Sequence, residues 1–162
     1  MFEHLADTLQ LWGEIVAEEY KNTLYFEGIE ASGKLSNSVK SLFSINGNTY
    51  EVSLSLESYW KQVEEGRGPT KGSGDGQLRR SILEWIRVKP VLPTPYNGKL
   101  PTEEQLAYLI SRKIHRVGYE GKQPLKKTID TLRADIHKDI EEALKKDLST
   151  DVLNILRTID SK

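Results

Sequence analysis

Residues 39–56 run Val39-Lys40-Ser41-Leu42-Phe43-Ser44-Ile45-Asn46-Gly47-Asn48-Thr49-Tyr50-Glu51-Val52-Ser53-Leu54-Ser55-Leu56. Val39, Ser41, Phe43 and Ile45 share one face before Asn46-Gly47-Asn48, and Tyr50, Val52, Leu54 and Leu56 share one face after it. A period of two on both sides of Asn-Gly specifies a β-hairpin, because Asn and Gly accept the positive φ angles of the tight turns that match strand twist. Glu51, Ser53, Ser55 and Glu57 occupy the opposite face of the second strand, so one side of the sheet faces water and the other is covered by helices. Tyr59, Trp60 and Val63 are good strand formers and allow the hairpin of 39–57 to continue to 64.

Helical periodicity surrounds the hairpin. Leu5, Leu9, Trp12, Ile15, Val16, Tyr20 and Leu24 recur every three or four residues, predicting one amphipathic helix from Glu3 to about Phe26 that shows Glu14, Glu18, Glu19 and Lys21 to water. Gly28, Ser32, Gly33, Ser36 and Asn37 then read as turn formers. Downstream, Asp75 is placed to cap a helix bearing Leu78, Ile82, Leu83, Trp85 and Ile86. Pro90, Pro93, Pro95 and Pro101 make 89–101 a stiff exposed arm. Thr102-Glu103-Glu104-Gln105 is a capping box opening a helix with Leu106, Leu109, Ile110, Ile114 and Val117, and Gly118 suits its end. Pro124 fits a first helical position, and Leu125, Ile129, Leu132, Ile136, Ile140, Leu144 and Leu148 mark a helix of about 25 residues, roughly 37 Å. That length predicts a far end that reaches a neighbour or folds back. Ser149-Thr150-Asp151 reads as a break before a short last helix with Val152, Leu153, Ile155, Leu156 and Ile159.

The expected architecture is α+β, a small antiparallel sheet flanked by an N-terminal helix and several C-terminal helices. It is one domain over 1–148 with a helical extension at 149–162. Across 162 residues, 23 Lys and Arg balance 24 Asp and Glu for a net charge of -1, which gives no general attraction to nucleic acid or anionic membrane. The absence of cysteine excludes disulfides and thiolate metal sites and fits a reducing compartment. With no basic and apolar leader and no run of 18 apolar residues, a soluble chain without an export signal or membrane contact is expected.

Chemistry is sought first in the glycine-dense stretch Glu64-Glu65-Gly66-Arg67-Gly68-Pro69-Thr70-Lys71-Gly72-Ser73-Gly74-Asp75-Gly76. A phosphate-cradling P-loop ends Gly-Lys-Ser/Thr, but here Lys71 and Gly72 are transposed and Pro69 removes a backbone donor. Lys71 also stands where the dinucleotide pattern needs its third glycine. His4, His115 and His137 fall on three separate helices without metal-ligand spacing. Glu64 and Glu65, read as neighbours on a strand, point to opposite faces and do not act on one substrate. Arg67, Lys71, Arg79 and Arg80, with Arg112, Lys113 and Arg116, suit either phosphates or the carboxylates of a neighbouring subunit, and the loop cations lack the interleaved aromatics of a single-strand groove. Trp12, Trp60 and Trp85 read as core anchors. No cofactor and no catalytic constellation is expected.

Two groups of motifs carry a resemblance. Gly33-Lys34-Leu35-Ser36-Asn37-Ser38-Val39, the hairpin, and Tyr59-Trp60-Lys61-Gln62-Val63-Glu64-Glu65-Gly66-Arg67-Gly68-Pro69 resemble the Gly-x-Leu-x-x-Ser and Tyr-x-x-x-x-Glu-x-Gly signatures of small neck and tail-completion proteins of tailed bacteriophages. Ile82-Leu83-Glu84-Trp85-Ile86, the proline arm, Leu109-Ile110-Ser111-Arg112-Lys113-Ile114 and Gly118-Tyr119-Glu120-Gly121-Lys122-Gln123-Pro124-Leu125 follow in the same order. The likeness spans about Gly33 to Ile129. It implies a non-enzymatic virion protein, assembled in the host cytoplasm, that joins copies of itself in a ring between portal-side and tail-side proteins while DNA passes through without sequence recognition. Tyr59, Glu64, Gly66 and Arg67 match the signature and are expected at a subunit contact, with Lys71 beside them. In the arm, Pro93, Pro95 and Tyr96 are the expected partner contacts. Two alternatives remain: an adaptor whose 89–101 arm docks in an aromatic-lined groove, and a nucleic-acid processing factor using the basic loop.

Overall fold

The computed structural model describes residues 2–29, 31–70, 76–89, 91, 93–95 and 98–160. It is α+β, in the order α1 (Glu3–Phe26), α2 (Lys34–Ser38), β1 (Lys40–Asn46), β2 (Thr49–Ser55), α3 (Trp60–Glu65), β3 (Gly66–Arg67), α4 (Gln77–Val88), α5 (Glu103–Val117), β4 (Tyr119–Glu120) and α6 (Pro124–Asp160). The chain divides into two compact units, Met1–Thr23 with Ser38–Leu56 and Leu125–Lys162, and Leu24–Asn37 with Glu57–Pro124.

In the first unit, α1 and α6 run antiparallel. Thr23 and Thr128 hydroxyls meet at 2.9 Å, Trp12 Nε1 donates to Asp139 at 3.1 Å, and the Asp147 carboxylate accepts from the backbone N–H groups of His4 and Leu5 at 3.1 and 2.9 Å. Asp147 thereby caps from outside two of the amides that a helix N-terminus leaves unpaired, and it is itself buried. Trp12, Val16, Ala17 and Tyr20 form the buried stripe of α1. β1 and β2 pair antiparallel from Lys40↔Ser55 to Asn46↔Thr49, with the expected alternation of half-buried Tyr50, Val52 and Leu54 against exposed Glu51, Ser53 and Ser55. The hairpin lies directly on α1 at Gly13, where a Cβ would stand 2.3 Å from Ser41 Oγ and 2.8 Å from Val52 Cγ1. A larger residue at position 13 would have to move those two side chains aside.

In the second unit, Ile82 and Ile86 of α4 and Ala107 of α5 form a core with Leu78, Leu83, Leu106, Ile110 and Ile114 around it. The capping box of α5 is complete: Thr102 Oγ1 accepts from Gln105 N at 3.3 Å and Gln105 Oε1 accepts from Thr102 N at 3.0 Å. Gly118 ends α5 at φ 73°, and Pro124 begins α6.

Four expectations are corrected. Residues 60–65 are helical rather than a continuation of the sheet, because Trp60 N and Gln62 N bond back to Glu57 O and Tyr59 O, so local turns satisfy the backbone that strand propensity would have sent to a ladder. Ser149-Thr150-Asp151 does not break α6: the Ser149 and Thr150 hydroxyls donate to the Lys145 and Lys146 carbonyls at 2.7 and 3.0 Å, bonding within the helix instead of capping a new one. Residues 34–38, read as turn, form a short helix whose entry is closed by Asn37 N on Gly33 O at 2.9 Å. Trp85 is 39% exposed and no core anchor, since it sits one residue, about 100°, from the buried Ile86. Asp75, the expected cap of α4, lies outside the described residues, and the N-cap position is Gly76.

Candidate functional site: a glycine clasp around Arg67

The two motif segments that carry the resemblance meet in space. β3 and β4, separated by half a hundred residues in the chain, pair antiparallel with Gly66 opposite Glu120 and Arg67 opposite Tyr119. Backbone bonds extend the pairing on both sides: Lys122 N to Val63 O at 3.1 Å, Gln123 N to Glu64 O at 3.3 Å, and Thr70 N to His115 O at 2.9 Å. The Thr70 hydroxyl and His115 Nδ1 also meet, at 2.5 Å.

Three glycines make this approach possible. A Cβ on Gly66 would lie 2.2 Å from Tyr119 O, one on Gly118 2.2 Å from Arg67 O, and one on Gly121 2.0 Å from Glu64 O. Each clash is with backbone, which cannot step aside as a flexible side chain can. The glycines of the Glu-x-Gly and Gly-Tyr-Glu-Gly motifs therefore lock one segment into the other. Within the glycine-dense loop this gives Gly66 a packing cause that a phosphate cradle would not require, whereas Gly68 has nothing within 4 Å of where its Cβ would stand.

Beside the clasp lies an open groove of about 400 Å³, lined by Glu65, Arg67, Gly68, Val117, Gly118, Tyr119 and Glu120. Arg67 is half-buried and no hydrogen bond or ion pair engages its guanidinium among the described residues. Burial pushes the Tyr119 hydroxyl above the usual tyrosine value, and the Arg67 charge pulls it partly back. A lining of one Arg, two Glu, a Tyr and an exposed Val117 suits a mixed protein surface better than a polyanion.

The expected site residues separate accordingly. Gly66 and Arg67 form β3 itself, Glu64 contributes its carbonyl to the clasp, and Tyr59 is the N-cap residue of α3, 39% exposed. Glu64 and Glu65 end a helix, so the opposite-face argument made for a strand does not apply to them. Pro93 is half-buried, Pro95 is exposed, and neither lines the groove. The arm is anchored by Val91, which packs on the α4–α5 core, rather than exposed throughout. Lys71 and Tyr96 lie outside the described residues. Tyr119 and Glu120, missed by sequence reasoning, were signalled by glycines flanking them at 118 and 121.

Among the described residues no three His, Asp or Glu side chains gather as a metal site, and no helix is long and apolar enough to cross a membrane. Comparisons with protein-family models, with curated proteins and with solved structures find no match.

Proposed function

We propose that this chain is a structural virion protein of the neck or tail of a tailed bacteriophage, a subunit of a ring that joins the portal and capsid to the tail and leaves a channel for DNA. The observation that carries the reading is the convergence of the two signature segments, 64–68 and 118–123, into one glycine-locked pair that presents Arg67 beside an open groove. A motif whose glycines serve packing belongs to a shaped surface, and a guanidinium that no hydrogen bond or ion pair engages among the described residues suits a carboxylate of the adjoining subunit. Balanced charge is consistent with DNA passing through without being bound by sequence. The partners on this reading are further copies of the chain and the portal-side and tail-side proteins, in the virion after assembly in the host cytoplasm.

Mass measurement of the protein mixed with the portal of the same phage tests the proposal. It predicts a symmetric multimer seated on the portal ring, weakened by Arg67→Glu. A protein that never associates with the portal under any condition of salt or concentration contradicts it.

A further inference from the structure

The hairpin of α4 and α5 divides its charge. Residues 77–83 and 105–118 hold Arg79, Arg80, Arg112, Lys113 and Arg116 and no acid. The acids Glu84, Glu103 and Glu104 lie toward the other end, where Arg87 Nε donates to Glu103 at 3.2 Å. The two helices run antiparallel, since Arg87 reaches the start of α5 while Arg79 reaches Tyr108. A chain of net charge -1 thus carries one local block of five basic side chains.

Geometry gathers these cations on one face. At about 100° per residue, Tyr108, Arg112 and Arg116 fall within about 80° of one another on α5, clear of the buried Ala107 and Ser111. The Arg79 guanidinium lies over the Tyr108 ring, 5.7 Å from its centroid, which carries the stripe across onto α4, and Arg80 is exposed beside it. All five basic residues are exposed, and among the described residues no hydrogen bond or ion pair engages any of them. Lys21, Arg87, Arg133 and Lys145, by contrast, each hold a carboxylate. Like charges fixed on a rigid helix pair repel one another, and an anionic ligand relieves that repulsion.

We propose that this face binds the phosphate backbone of double-stranded nucleic acid. Four of the five cations are Arg, whose planar guanidinium meets phosphate oxygens two at a time. From 108 to 116 the stripe is about 12 Å long, enough to follow roughly three or four phosphates of one strand. Contacts of this kind carry no sequence information. An acidic protein surface is the rival occupant. Protein interfaces have an apolar centre depleted of charge, whereas nucleic-acid interfaces are more polar and far more positive; here Tyr108 and Arg112 stand at the centre, with Leu109 the exposed aliphatic side chain among the cations. A single strand fits less well, because it calls for a groove with several aromatics on which bases stack, and the Tyr108 ring already carries a guanidinium. The inference stands apart from the ring reading: it concerns the isolated chain and needs no portal.

Fluorescence anisotropy of a labelled duplex of about 20 base pairs, titrated with the full chain at salt from about 20 to about 200 mM, is the test. Wild type is expected to bind in the micromolar range at low salt, to bind shuffled sequences equally, and to give log K against log salt a slope of about -3 to -4. Arg112→Ala with Arg116→Ala should weaken binding at least about tenfold and reduce the slope by about 2. Lys34→Ala with Lys40→Ala removes the same charge from exposed positions elsewhere and should change affinity by less than about twofold. Circular dichroism with an unchanged unfolding midpoint verifies that both variants are folded. No binding at the lowest salt, equal weakening in the two variants, tighter binding to a single strand of the same length, or displacement of the duplex by polyglutamate of equal charge overturns the proposal. So does binding to phosphatidylserine vesicles with none to the duplex. A chain that binds duplex in this way and never associates with a portal would remove the ring reading alone.

Discussion

An alanine at Gly66 would place its Cβ 2.2 Å from the Tyr119 carbonyl oxygen at a φ of 82°, so both sterics and backbone conformation oppose it. Gly66→Ala or Gly118→Ala should destabilise the protein by about 2–4 kcal/mol, from overpacking together with a left-sided φ. Gly68, where nothing lies within 4 Å and φ is ordinary, is the control, and Gly68→Ala should change stability by no more than about 0.5 kcal/mol. Urea denaturation separates the two outcomes, and equal effects at 66 and 68 would remove the clasp from the account. Tyr119 supplies a pH signature. Its folded pKa is raised by burial, so its contribution to stability is complete below the ordinary value of 10.0 and is lost as pH rises through the folded value. The urea midpoint should therefore fall between pH 8 and pH 11 more steeply in wild type than in Tyr119→Phe, and parallel profiles would show that the phenol is not involved. Asp147 is a third residue with a defined role: Asp147→Ala strands two N–H groups at the start of α1 and should reduce stability by about 1–3 kcal/mol, measured by thermal unfolding. None of these roles was legible as such in the sequence. Gly66, Gly118 and Gly121 were visible as glycines, but the atoms they avoid come from a segment half a hundred residues away. Asp147 lies in a run of helix charges where nothing local distinguishes it.

Elements were legible where their determinants are local. The α1 stripe, the Asn-Gly hairpin, the capping box at Thr102 and the proline entry to α6 each depend on residues within a few positions, and each is found where the pattern puts it. Thr102→Ala should accordingly cost about 1 kcal/mol, with the loss seen first as hydrogen-exchange protection in the first turn of α5. The misread elements are those decided by competition. Trp60 and Val63 favour a strand in isolation, but residues 60–65 satisfy their backbone by turning, and the sheet stays two-stranded. Ser149, Thr150 and Asp151 resemble a cap, yet the two hydroxyls bond back onto α6 and the helix continues. That continuation turns a suspected short extension into a projecting helix with an exposed apolar face, which the apolar residues 148–156 hinted at but could not place.

For the molecule as a whole, composition excluded more than it identified. A net charge of -1 and the lack of cysteine narrowed the classes of partner and site, and the motif order brought a resemblance whose segments are joined by the β3–β4 pair. The resemblance could not supply that pairing, because a list of motifs has no geometry. The most direct measurement of the proposed function is electron microscopy of the protein mixed with a tailed-phage portal, at a resolution that places side chains. The account predicts a closed ring in which the 66–67 and 119–120 pair lies at the seam between subunits, with Arg67 covered by a carboxylate of the neighbour. A closed ring with Arg67 facing open solvent, or a portal with no ring on it, would contradict it.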